Sequence, residues 1–307
     1  MFFSVLIGYV LLHAANILCL KYLAFNGVSL PTILVFRGMG CLILVLAWAV
    51  FKQQSLRPKS LPLQSLRVLV AGTSLLLLTS AYFYIKGTSV GMISRMDVAI
   101  LILLAPLVGE SRTDLQRNLS LLLLLCFGGY AVFSNSSENP LGYFLAFMGT
   151  LGISLGFLLI KKSSTSRENL GVISGVAALS IVIVGLLAST FGGPLMVSHP
   201  LAPLAATSGV FMFFIYQMTV YLYSKMSVAH AEYPTLVAVL LVLPLEHWVM
   251  ESALDLTYVS FILGAVVALG AIFCLKDRGA GAINGKPTAL QMPRLRFLEV
   301  KASRRNQ

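Results

Sequence analysis

Apolar residues in this chain come in long blocks separated by short polar joints. Ten blocks come close to the roughly 20 residues that a helix needs to cross hydrocarbon. They cover 2–24, 30–51, 66–86, 89–108, 118–134, 140–160, 170–190, 203–224, 228–248 and 257–275. An isolated strand cannot satisfy its backbone in lipid, so each block predicts a transmembrane helix. The third and fourth are parted only by Lys86-Gly87-Thr88. The first block has no basic flank before it and no small-residue cleavage site after it, and it is too long for a signal peptide's apolar region. It is therefore read as a retained helix.

Composition strengthens this picture. Of 307 residues, 58% are hydrophobic and 11% charged, with a mean hydropathy of +0.89. Soluble domains carry roughly 25% charged residues, so too little polar material is present to coat a water-soluble globule. A soluble enzyme, a nucleic-acid-binding module and a disulfide scaffold are all excluded. Cys19, Cys41, Cys126 and Cys274 are scattered through apolar sequence with no metal-ligand spacing. They read as small buried hydrophobes, and no metal or cofactor is expected.

The net charge of +11 is placed in a way that reports orientation. With the N-terminus inside, 18 of the 22 Lys and Arg residues fall on the cytoplasmic side. These include Lys52, Arg57, Lys59 and Arg67 in the loop after the second block or its flank, and eight residues in the tail after Leu275. Cytoplasmic loops attract such an excess, so the pattern predicts a multi-pass inner-membrane protein with both termini cytoplasmic. The tail, 276–307, is expected to be a disordered basic segment, attracted to anionic lipid.

Ten spans divide into five and five, near residue 136. A repeat of odd span number must insert its second copy upside down, and such inverted repeats hold substrate near the midplane. The domains predicted are therefore 1–135 and 136–275, an all-α architecture of two inverted five-helix repeats. A trace of duplication supports this. Ser94-Arg95-Met96-Asp97 opens the fourth block, which leaves through Gly109-Glu110; His230-Ala231-Glu232-Tyr233-Pro234 opens the ninth, which leaves through Leu245-Glu246.

In these features the chain resembles the drug/metabolite transporter superfamily in its ten-helix, EamA-like form. The resemblance is carried by Phe36-Arg37-Gly38 early in the second helix and by the exits of the fourth and ninth helices. Asp97 stands where the family has a proline, and Leu245-Glu246 lacks the family's glycine. The resemblance implies paired five-helix repeats and a transport activity.

Ionisable groups at membrane depth default to functional roles. Arg37, Arg95 and Asp97 lie several residues inside the outer ends of their spans; Asp97 is expected to pair with one of the two arginines as a gate or binding wall. The rival reading is a static ion pair that fixes helix packing. His230 and Glu232 hold the corresponding inner place. Tyr9, His13 and Asn16 share one helix face by their spacing and are read as cavity-lining. His13, whose type titrates near neutral pH, competes with Asp97 and Glu232 as carrier of a coupling proton. Tyr82, Gln217 and Tyr221 complete the candidate substrate-binding set. Tyr223, Trp48 and Trp248 are assigned to the interfacial aromatic belt, and the GxxxG of Gly152 and Gly156 to close helix packing.

The function expected is secondary active transport of a small organic metabolite or drug-like molecule by alternating access, by a monomer or dimer. The partners are that substrate, a coupling proton and membrane lipid, and not nucleic acid. The alternatives are a channel, a non-transporting assembly partner or an intramembrane enzyme.

Overall fold

A computed structural model describes residues 2–81, 84–85, 90, 93–134, 139–165, 168–191 and 193–250, together with 263, 264 and 267. The chain divides into a unit over 1–274 and another over 275–307, and every described residue belongs to the first. All regular structure among the described residues is helical. The elements are α1 (Phe2–Phe25), α2 (Leu30–Phe51), α3 (Leu61–Ala81), α4 (Asp97–Leu104), α5 (Asp114–Ser134), α6 (Pro140–Thr165), α7 (Leu170–Ala188), α8 (Ala202–Tyr223), α9 (Val228–Glu232) and α10 (Pro234–Met250). A 3-10 turn, Ala105–Val108, follows α4.

Six of these, α1, α2, α3, α6, α7 and α8, are long and apolar enough to cross a membrane. Large apolar side chains point outward from them, among them Phe3, Ile43, Leu69, Phe144 and Leu187. An apolar exterior of this extent suits lipid and not water. The predicted tenth span, apart from 263, 264 and 267, and the basic tail lie outside the described residues.

Two predicted spans are not single helices. In the fourth, a turn at Arg95–Met96 precedes α4, and Pro106 converts its end to 3-10. Proline supplies no N–H to the ladder. The Arg112 guanidinium donates instead to the carbonyls of Leu103 and of Ile102, the latter at 3.4 Å. In the ninth, Tyr233 separates α9 from α10 because Pro234 cannot continue the ladder. There the Thr235 hydroxyl donates to the Glu232 carbonyl at 2.6 Å. Side chains cap the starts of other helices. Thr113 and Gln116 form a reciprocal capping box before α5 (2.9 and 3.1 Å), and Asn169 caps α7 through Gly171 N–H at 2.9 Å.

Helices from the first part of the chain pack mainly on helices from the second. α1 packs on α8 and α10, α2 on α7 and α8, and α3 on α6 and α7. Along the α2–α7 contact Val35 meets Gly185, Gly38 meets Val182 and Val45 meets Gly175, so the two run antiparallel. α2 crosses α8 at backbone distance: a Cβ on Gly40 would strike the Ala206 carbonyl, and one on Gly209 the Arg37 carbonyl. Only glycine permits that approach.

One end of the bundle is basic. There Lys59 N–H donates to Glu168 Oε2 at 3.0 Å and the Asn169 amide to the Ser55 carbonyl at 2.9 Å. At the opposite end the Ser29 hydroxyl donates to the Pro194 carbonyl at 2.7 Å, and Met196 N–H to Thr32 Oγ1 at 2.8 Å. α3 begins at Leu61, five residues before the predicted span, which draws Gln64 and Arg67 into the bundle with 3% exposure each.

Candidate functional site

A cavity of about 500 Å³ lies among α1, α2, α3, α6, α7 and α8, with the segment around Arg95 and Asp97 and the α9–α10 junction. Its lining reaches the exposed Ala24 and Gly27 at the α1–α2 turn. At the basic end it stops at Arg67 and Glu232, both buried. Most of the wall is aliphatic, with a few converging polar groups, the usual makeup of a small-molecule site.

His13 and Asn16 enter from α1, as their shared helical face requires. Arg37 enters from α2, 7% exposed, and Arg95 and Asp97 from the turn before α4 and its first residue. His13 lies in the electrostatic field of both Arg95 and Arg37. Asp97 Oδ1 accepts from Val98 N–H at 2.8 Å, where a carboxylate also favours a helix start. Arg95 is the basic residue whose charge bears on it most.

At the closed end, Glu232 is fully buried and held by hydroxyls. Tyr9 donates to its two oxygens at 3.0 and 3.1 Å, and Tyr223 donates to Oε1 at 2.5 Å. Thr219 in turn donates to the Tyr9 oxygen at 3.2 Å, and the Tyr9 ring meets His13 edge-on, centroids 4.5 Å apart. Beyond this cluster, Lys161 pairs with Glu110 at 3.5 Å and donates to the carbonyls of Tyr223 and of Met226, the latter at 3.1 Å. The Glu110 carboxylate accepts from Val228 N–H at 3.2 Å. One lysine and one glutamate thus tie the ends of α6 and α8, the start of α9 and the segment after α4.

Seven of the residues predicted for the site, Tyr9, His13, Asn16, Arg37, Arg95, Asp97 and Glu232, come together in the cavity or its closed end. His230 does not: it is exposed, with Nδ1 2.5 Å from the Ser227 hydroxyl. Gln217 donates to Ser174 Oγ at 3.2 Å, and neither it nor Tyr221 lines the cavity. Tyr82 lies outside the described residues.

Three side chains stand elsewhere than their position in the sequence suggests. Tyr223, expected in the aromatic belt, is 1% exposed and bound to Glu232. Arg67, expected to mark a loop, donates to Gln64 Oε1 at 2.6 Å and to the Ile173 carbonyl at 3.0 Å. Cys126 is exposed, whereas Cys19 and Cys41 are buried as expected. The signal for α8 was available: Tyr216, Thr219 and Tyr223 stand at i, i+3 and i+7 and share one face. Choosing Gln217 and Tyr221 selects the neighbouring face. Of the two GxxxG glycines, Gly152 packs against Ser74, while Gly156 has open space around it and lines the cavity.

No protein-family model matches the chain, and no curated protein matches it in sequence. Among solved structures, one crystal structure described only as that of a protein superposes on 87% of this chain and 96% of its own, with a TM-score of 0.64 at 16% identity. The likeness extends to the fold.

Proposed function

We propose that this protein is a secondary transporter that moves a small organic molecule across a membrane by alternating access. One observation carries the reading: a polar-studded cavity between the two parts of the chain is reachable from one end and latched at the other. A channel needs a continuous path, and an alternating carrier needs one closed end at a time.

The reading includes two inverted five-helix repeats, joined near residue 136. Packing supports it. If α1, α2 and α3 correspond to α6, α7 and α8, the α1–α8 contact maps onto α6–α3, and α2–α8 onto α7–α3. The corresponding helices α2 and α7 run antiparallel, as inversion demands. The fourth and ninth spans are both broken near their charged residues, a feature of transporter sites built from discontinuous helices. We further propose membership in the drug/metabolite transporter superfamily, on the motifs around Arg37 and Glu110, and an orientation with the basic end cytoplasmic.

Glu232 is the group we assign to a coupling proton. It stands at the closed end, where gain or loss of a proton alters contacts to α1 and α8 at once. Purified protein in liposomes tests the whole reading by counterflow: a carrier accelerates uptake of labelled solute when unlabelled solute is trapped inside. A channel does not, and an enzyme returns altered product.

A further inference from the structure

Charge along the cavity is unbalanced. Among the described residues, Lys21, Arg37, Arg67 and Arg95 line it against Asp97 and Glu232. Both carboxylates already have donors, Glu232 from two tyrosines and Asp97 from Val98 N–H. Arg67 is engaged by Gln64 and the Ile173 carbonyl. Between these fixed groups, Arg95 Nε and His13 Nε2 are buried without a hydrogen-bond partner among the described residues. Arg37 adds a second guanidinium within the field of His13. Buried polar atoms left in this state call for a partner, and a guanidinium's fork of donors matches carboxylate and phosphate oxygens. A bound cation would face both guanidiniums, whereas an anion adds negative charge to a lining with more basic than acidic side chains.

We propose that the cavity binds an amphipathic organic anion, its carboxylate or phosphate between Arg37, Arg95 and His13 and its apolar body along Leu34, Ile181 and Met212. The last three belong to one packed cluster in the wall, and a volume of about 500 Å³ suits a metabolite-sized ligand. That this anion is carried, and not merely bound, rests on the transport reading above.

The test is a charge series on one apolar body. Full-length protein in phosphatidylcholine nanodiscs is melted with phenylbutyrate, phenylbutyl phosphate, phenylbutanol or phenylbutylamine. The anions are expected to raise the melting temperature and the alcohol and amine to leave it unchanged; the larger anion shift distinguishes carboxylate from phosphate. R95Q should weaken anion binding by about tenfold or more, and R95K, which keeps charge without the fork, by less. Stabilisation by the amine or alcohol equal to that by the anions overturns the proposal, as does unchanged anion affinity in R95Q. Should R95Q fail to fold, the series on the unaltered protein decides. Loss of the anion shift in phosphatidylglycerol nanodiscs would assign the site to a lipid headgroup and overturn a soluble ligand. Anion binding without phenylbutyrate counterflow keeps the site and refutes carriage; counterflow of the amine instead keeps carriage and refutes the anion.

Discussion

The Tyr9 hydroxyl bridges both oxygens of Glu232, at 3.0 and 3.1 Å, across 223 positions of sequence. With Tyr223 donating to the same carboxyl group, the contact joins α1, α8 and α9 at the closed end of the cavity. A buried acceptor of this kind is costly to strip of donors, on the order of 1–3 kcal/mol for each group left unsatisfied.

Glu232→Gln preserves volume and removes the titrating proton. It is expected to fold, to lower transport by about tenfold or more, and to flatten the dependence of transport on pH. Tyr223→Phe removes one donor and should lower stability by about 1–3 kcal/mol, read as a drop in melting temperature. Full activity with an unchanged pH profile in Glu232→Gln would remove that residue from coupling.

Lys161 and Glu110 hold four segments with one ion pair and a few hydrogen bonds. Lys161→Ala should shift the population toward a state open at the basic end. A single cysteine replacing Ile160, which lines the cavity, would then react several-fold faster with a maleimide added from that side. An unchanged rate means that the latch is not the gate.

Close approach at α2 and α8 separates two glycines that look alike in sequence. Gly209→Ala drives a methyl group into the Arg37 carbonyl and should cost about 1–3 kcal/mol. Gly156→Ala meets open space and should be neutral or gain up to about 1 kcal/mol from helix propensity. Unfolding in graded denaturing detergent compares the pair directly.

Orientation is testable at two exposed joints. A single cysteine replacing Arg57 should be labelled by an impermeant reagent only from the cytoplasmic face, and one replacing Asn26 only from the opposite face. Reversal would invert the placement of the basic end.

The cavity's ionisable wall was legible because hydrocarbon tolerates so few such groups: Arg37, Arg95, Asp97 and Glu232 stand out against an apolar background. Tyr223 did not, since a tyrosine near a span end fits an interface as well as a core. Arg67 resembled an orientation marker because α3 starts five residues before its apolar block. His230 and Glu232 are two positions apart, yet one is exposed and the other buried; their separation depends on which side of a five-residue helix meets α1.

Span length and basic-residue placement are local properties, set by the thickness of hydrocarbon and by charge at its borders, and they can be read one segment at a time. Which face of α8 turns inward, and that Tyr9 meets Glu232, depends on helix rotation about its axis. Rotation is chosen by close packing at contacts such as Gly209 on Arg37, and an apolar helix surrounded by lipid has no water-facing side to reveal it.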